Sequence, residues 1–198
     1  MDGNNNYTTI LQAVKNWEDK HGRTAGESNE IKLCCQLPPI AKMDKSLANL
    51  KNCEILSLST NSIDRVTGLA GMTKLRVLSL GRNNLKKIEK LEDVAGTLQQ
   101  LWISYNQISS LEGLACLLEL STLYMSNNAL KSFSCLLELS PLKKLREVMF
   151  IGNPMYDDIV DKAETRILVL KYLPQLTKID GQIVKPSEVE MAKKLLDE

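Results

Sequence analysis

Leu98-Gln99-Gln100-Leu101-Trp102-Ile103-Ser104-Tyr105-Asn106-Gln107-Ile108 decides the fold. Apolar residues stand at its first, fourth, sixth and eleventh positions, and an asparagine stands at the ninth. The same L-x-x-L-x-L-x-x-N-x-L pattern, with apolar substitutions, recurs at Cys53 to Ile63, Leu75 to Leu85, Leu120 to Leu130 and Leu145 to Met155. The five asparagines are Asn61, Asn83, Asn106, Asn128 and Asn153, at spacings of 22, 23, 22 and 25 residues. Self-similarity at such a period is the signature of a stacked repeat, in which no unit can bury its apolar face alone.

The pattern also fixes what each unit does. Alternation sends Leu56 and Leu58, or Leu101 and Ile103, into the core as a short strand. The chain then turns, and the Asn amide satisfies backbone groups of the turn and of the neighbouring unit, so the five asparagines form a ladder. Between strands, Val66, Leu69, Met72 and Leu75 recur at the spacing of a short helix. The expected architecture is an α/β leucine-rich-repeat solenoid with short parallel strands on one face, short helices on the other, and helical caps. It forms a single domain over residues 1–198. A cap helix spans 8–20, with Ile10, Leu11, Val14 and Trp17 inward and Thr8 or Thr9 at its start. Repeats span 31–155; the first is degenerate, running from Leu33 through Cys53, and places Pro38 where the others have Asn. A closing unit spans 156–184, and a last helix spans 187–196, opened by a Ser187–Glu190 capping box. The 25-residue spacing places extra residues on the convex side near Ser140 and Pro141.

Composition narrows the function. With 25 basic and 24 acidic residues the net charge is +1, which lacks the basic excess of a nucleic-acid binder. Apolar runs are too short to span a bilayer, and the N-terminal residues carry no secretory signal, so no membrane is expected and the cytoplasm is. Five cysteines without metal spacing read as reduced, mostly buried thiols. The one histidine, His21, falls in a polar loop, so a conventional Ser-His, Cys-His or multi-histidine site cannot be built. No phosphate-cradling glycine motif occurs. Asp157, Asp158 and Asp161 fail calcium-loop logic, because Leu168 occupies the bidentate position, and read as a solvated acidic loop. Arg166 reads as a structural partner of backbone or acid groups in the cap, and Lys86 and Lys87 as surface charge. The expectation is a non-enzyme with no cofactor and no metal.

What remains is a column facing away from the core. Four positions before each Asn stand Ser57, Ser79, Trp102, Tyr124 and Met149; two positions before stand Ser59, Gly81, Ser104, Ser126 and Ile151. Strands about 4.8 Å apart make Trp102, Tyr124 and Met149 adjacent. Aromatics that bury about 150–250 Å² each then give an apolar patch suited to anchoring a protein partner. Ser104 and Ser126 leave a low floor, and Arg82 and Tyr105 stand at the rim to orient a partner through hydrogen bonds.

Leu78-Ser-Leu-Gly-Arg-Asn83, Leu101-Trp-Ile-Ser-Tyr-Asn106, Leu123-Tyr-Met-Ser-Asn-Asn128 and Gly152-Asn-Pro-Met-Tyr156 resemble the leucine-rich-repeat light chains of axonemal outer-arm dynein, over about Ile10 to Ile183. The resemblance implies a ciliary or flagellar protein of the axonemal cytoskeleton. It implies binding to a dynein heavy chain near its microtubule-binding stalk end, with tubulin within reach. It also implies that the open sheet with Trp102, Tyr124 and Met149 makes that contact. Relatives with a comparable last helix carry arginines there that act on motor function; here those positions are Val189 and Leu196, with Lys193 and Lys194 carrying the charge. A generic leucine-rich-repeat scaffold is the alternative. A phosphatase-regulating repeat protein shares the 22-residue period but usually needs many more repeats and a long concave face rich in acids and aromatics. An RNA-splicing scaffold has a similar cap and repeats but is disfavoured by the near-neutral charge and the lack of a basic face.

Overall fold

The computed structural model describes residues 6–159 and 161–197. Its spine is one sheet of eight strands in sequence order: β1 (Glu30–Lys32), β2 (Ile55–Ser57), β3 (Val77–Ser79), β4 (Gln100–Trp102), β5 (Thr122–Tyr124), β6 (Glu147–Met149), β7 (Lys178–Ile179) and β8 (Gln182–Ile183). The first seven pair in parallel, in a register that stacks Ile31, Leu56, Leu78, Leu101, Leu123, Val148 and Ile179 at one level. All seven are buried, as are Leu58, Leu80, Ile103, Met125 and Phe150 two residues on. A single continuous apolar core therefore runs the length of the array.

Strands β2 to β6 each end after three residues because a ladder asparagine turns them. Asn83 accepts from the backbone N–H of Ile63 at 2.9 Å and donates to the carbonyls of Leu58 and Leu80 at 3.1 and 3.0 Å. Asn61, Asn106, Asn128 and Asn153 repeat this pattern, each bridging its own turn to the preceding unit. Cys35, Thr60, Arg82, Tyr105, Asn127 and Gly152 lie in the left-handed region, φ 54–80°, and five of these precede a ladder asparagine. For non-glycine residues that conformation costs about 1–2 kcal/mol, offset here by the amide's bonds to groups that would otherwise be orphaned. At Gly152 an added Cβ would stand 2.6 Å from Asn127 Oδ1, so the Asn127 side chain would have to shift to admit one.

The convex side carries short 3₁₀ helices at Lys45–Asn49, Glu92–Val94 and Phe133–Leu139, as expected, but Val66 to Leu75 is a chain of turns without a helix. Val66, Leu69, Met72 and Leu75 are buried as their spacing predicts. The helix fails because Gly68 sits at φ 77°, where a Cβ would meet Asp44 O at 2.1 Å. The long 25-residue unit spends its extra length in the seven-residue turn Phe133–Leu139, just ahead of Ser140 and Pro141.

At the N-terminal end, α1 (Ile10–His21) starts at Thr9, whose hydroxyl accepts from Gln12 N–H at 3.1 Å. Ile10, Ala13 and Trp17 are buried; Leu11, expected inward, is 63% exposed, because Ala13 takes the core side of that turn. The degenerate unit begins at Glu30 rather than Leu33. Its register sets Gln36, not Pro38, in the asparagine position. The longer Gln36 amide keeps one ladder contact, to the Cys34 carbonyl at 3.1 Å.

The C-terminal end is closed by α2 (Lys162–Tyr172), the β7–β8 hairpin and α3 (Pro186–Asp197). Asp180 and Gly181 both take positive φ, the two-residue turn that suits a hairpin. The Asp180 carboxylate accepts from Phe150 N–H, Ile151 N–H and Tyr156 O–H at 2.7, 3.0 and 2.8 Å, which finishes the turns of the last full repeat. Arg166 is buried and binds Glu188 with two nitrogens at 2.6 and 3.1 Å; it also donates to the carbonyls of Ile179 and Ile183. That pairing clamps α3 onto the cap. Glu188 also accepts from Lys185 N–H at 2.7 Å, so the helix start is organised by Lys185 and Glu188 rather than by Ser187 and Glu190. Ala192 is buried in the docked face with Val189 and Leu195 half-buried; the Leu196 side chain lies outside the described residues, as does the whole of residues 1–5. Of the five cysteines only Cys53 is buried, and Cys35 and Cys116 are exposed, because they fall in turns rather than at core positions.

Two expectations follow. Asn153 is fully buried and Asn106 only half-buried. Asn153→Ser should therefore lower stability by about 1–3 kcal/mol in urea melts and by more than Asn106→Ser, since each removes partners from backbone groups but only the first excludes water. Arg166 holds the Glu188 carboxyl below the ordinary carboxylate range, so its contribution is present above that range and is lost as pH falls through the depressed folded value. Glu188→Gln should cost about 3 kcal/mol at neutral pH, as breaking a buried pair does, and should flatten the acid limb of the stability profile.

Candidate partner-binding face

The concave sheet face is built by the strand residues that alternate with the core. Its N-terminal half is small and internally bonded: Ser59 and Ser79 hydroxyls lie 2.7 Å apart, and Ser79 is buried. From β4 onward the character changes. The Trp102 ring is stacked on Tyr124, centroids 5.9 Å apart and planes 23° from parallel, and Trp102 is 38% exposed. Register places Met149 directly beyond Tyr124. These three residues thus form a contiguous row, with the aromatic pair in the offset geometry that favours stacking.

A polar chain holds the row in place. Tyr124 O–H donates to Glu147 Oε1 at 2.6 Å, and Lys178 Nζ meets the same oxygen at 2.8 Å. Burial and the Glu147 carboxylate push the Tyr124 hydroxyl up to about 12. Burial alone would raise the Glu147 carboxyl, but the bonds from Lys178 and Tyr124 outweigh it and hold it below its usual value.

Ser104 and Ser126 are spent on one another. The Ser104 hydroxyl accepts from Ser126 N–H and O–H at 3.1 and 3.0 Å, and Ser126 is buried. They make the low floor beside the aromatics but offer a partner little. At the rim, the Arg82 guanidinium lies over the Tyr105 ring at 4.3 Å. The two stack on each other rather than standing as separate hydrogen-bonding posts, an arrangement worth about 0.5–1 kcal/mol at an exposed site. Ile151, 47% exposed and two positions before Asn153, extends the apolar row; its place was readable from the repeat, although a lone aliphatic signals less than an aromatic. Glu147 and Lys178 had a signal too, six positions before Asn153 and in the closing unit, but only the pairing of strands shows that they meet.

The other candidates lie apart from this face. His21 ends α1 instead of lying in a loop, stacked on Trp17 at 4.4 Å with Nδ1 2.7 Å from the Trp17 carbonyl. Asp161 caps α2 through Ala163 N–H, and Asp157 and Asp158 are exposed. Among the described residues no group of three or more His, Cys, Asp or Glu is arranged to hold a metal ion.

The family model described as Leucine Rich repeats (2 copies) matches residues 97–144, which include β4 and β5. Axonemal dynein light chain 1 of Chlamydomonas reinhardtii is 46% identical over 188 residues, covering 93% of this chain and 95% of the relative. The Homo sapiens protein of the same name is 46% identical over 186 residues, covering 92% and 97%. The chain belongs to the axonemal dynein light chain 1 family. Among solved structures, the Drosophila melanogaster SNF/U2A′ complex matches with a TM-score of 0.66 at 21% identity, over 80% of this chain and 94% of that one, which speaks to the fold alone. An internalin C2 of Listeria monocytogenes matches with a TM-score of 0.55 at 30% identity, over 71% and 58%. The likeness to the light chain 1 family spans nearly the whole chain, so the caps and the sheet face fall within it together.

The Tyr124–Glu147–Lys178 chain is testable by titration. Tyr124 should ionise near 12 in the folded protein, and in Glu147→Gln earlier, toward the ordinary tyrosine value. Ultraviolet difference titration against a Tyr124→Phe reference reads this directly; an unchanged titration would mean the Glu147 contact is not made in solution. Because the folded pKa is raised, the Tyr124 contribution is present below about 10 and is lost as pH rises toward 12.

Proposed function

We propose that this chain is a non-catalytic regulatory light chain of axonemal outer-arm dynein. Its concave sheet face binds a dynein heavy chain near the microtubule-binding end of the stalk. It acts in the axoneme of a cilium or flagellum, where it tunes motility with tubulin close by. One observation carries the binding reading: an apolar row of exposed Trp102 and Ile151 with half-buried Tyr124 and Met149 between them, on a sheet whose core is assigned to the alternate positions. Isolated exposed apolar residues are ordinary; a contiguous row with stacked aromatics is the kind of surface that partners bury. The names of the relatives, dynein axonemal light chains, support the identity of the complex.

Geometry supports a helical element as the occupant. Five strands about 4.8 Å apart make a platform of roughly 20 Å, the length of about thirteen residues of α-helix. Trp102 and Tyr124 serve as anchors, Met149 and Ile151 fill the space beside them, and the spent serines let a backbone approach closely. The clamped α3 helix lies on the C-terminal cap, away from β4 and β5, and acts on the motor rather than on capture of the heavy chain.

Trp102→Ala should weaken binding of an isolated axonemal dynein stalk-tip fragment by about 2 kcal/mol, roughly thirtyfold, measured by calorimetry. Melting by circular dichroism should change little, because the ring is partly solvated in the free protein. Unchanged affinity would move the interface elsewhere, and collapsed melting would make Trp102 a core residue.

A further inference from the structure

At the C-terminal end of the apolar row a cavity of about 330 Å³ opens beside Ile151. Its lining includes Gly152, Tyr156, Asp157, Ile159, Arg166 and Asp180. Its volume is at the low end of the roughly 300–1,000 Å³ of ligand sites, suited to one long side chain. Its walls are mixed: Ile151, Ile159 and the Tyr156 ring are apolar, and the charged lining groups are Asp157, Asp180 and Arg166.

The charge balance of that lining is lopsided. Arg166 is fully engaged by both Glu188 oxygens and two carbonyls, so its charge is answered within the cap. Asp180 receives two backbone N–H groups and the Tyr156 hydroxyl, all neutral donors, and makes no direct ion pair with the Arg166 beside it among the described residues. Asp157 is exposed at the mouth and takes part in none of the ion pairs among the described residues. Among the described residues the cavity lining thus holds two carboxylates, Asp157 and Asp180, against one cation, Arg166, which is already bonded to Glu188, above apolar walls.

Access from the sheet face is also built in. The rim residues Thr60, Arg82, Tyr105 and Asn127 all carry side chains at the left-handed position; the fifth, Gly152, carries none, and it lines the cavity. The rim is thus lowered at the one place where the apolar row meets the opening.

We propose that this cavity receives a lysine or arginine side chain from the same polypeptide that covers the apolar row. The aliphatic stem lies along Ile151, Ile159 and the Tyr156 ring, and the cationic head is met by Asp157 and Asp180. Long basic side chains bury their stems and keep the charge at a polar end, which fits walls and mouth of this kind. The inference rests on the concave-face reading above, and it adds the chemistry and position of one anchor: a basic residue beyond the apolar stripe of the partner, on the side of β6.

The test compares wild type, Asp157→Asn, Asp157→Lys and Trp102→Ala for binding to the stalk-tip fragment by calorimetry, at several salt concentrations. Asp157 is exposed, so melting should be unaffected and serves as the folding control. Asp157→Asn should weaken binding roughly three- to fivefold and Asp157→Lys about tenfold, both losses shrinking as salt rises. Wild-type affinity in both Asp157 variants, with Trp102→Ala impaired, would overturn the cavity proposal and leave the concave-face reading standing. Tighter binding by Asp157→Lys would also overturn it, since the cavity would then take an acid. Loss in Asp157→Lys with Trp102→Ala unchanged would refute a single polypeptide spanning both.

Discussion

Every strand of this sheet is three residues or fewer, and none could persist alone; what allows them is the asparagine amide that closes each turn. The amide has one acceptor and two donor hydrogens, and the turn leaves the corresponding backbone groups unpaired on two adjacent units. Filling them couples each repeat to the one before it. The coupling also sets the left-handed residue ahead of each asparagine, which aims Arg82, Tyr105 and Asn127 outward as a rim. The two ends show what happens when the amide is replaced. Gln36 retains one contact at the first unit, and at the last the Asp180 carboxylate accepts the backbone N–H groups of Phe150 and Ile151 from a hairpin turn.

A sheet held at its turns leaves its concave face free to differ along the array without cost to the core. The same structural position carries Ser57, Ser79, Trp102, Tyr124 and Met149 in successive strands, while the inward positions stay aliphatic. Core packing and the proposed recognition are thus divided between alternate residues of one strand. The Tyr124–Glu147–Lys178 chain then restricts the aromatic pair before any partner arrives, which lowers the ordering cost of binding. The family relationship makes the chain a dynein light chain, and this face is where we propose it holds its partner.

The C-terminal cap joins the two tasks. Arg166 ties α2 to the hairpin and to α3, and in doing so it commits its hydrogen bonds to the cap while still lining the neighbouring cavity. Two carboxylates, Asp157 and Asp180, line the same opening.

Periodicity alone determined the repeats, the inward and outward rows, the ladder positions and the aromatic column, because a strand's two-residue alternation and an asparagine at fixed offset are local facts. The family likeness was legible for the same reason, in strings such as Leu101 to Asn106. Sequence misassigned Val66–Leu75 as helical because apolar spacing is shared by helices and by successive turns, and only Gly68's contact with Asp44 distinguishes them. It misplaced Leu11, Pro38 and the start of the last helix, since each depends on which neighbouring residue wins a core or capping position. The stacking of Arg82 on Tyr105, the mutual bonding of Ser104 and Ser126, the link from Tyr124 through Glu147 to Lys178 and the cavity beside Gly152 were decided by tertiary structure only. They join residues up to some 55 positions apart or depend on the rotamers of exposed side chains, and no local pattern records which partner a side chain will meet once the strands are in register.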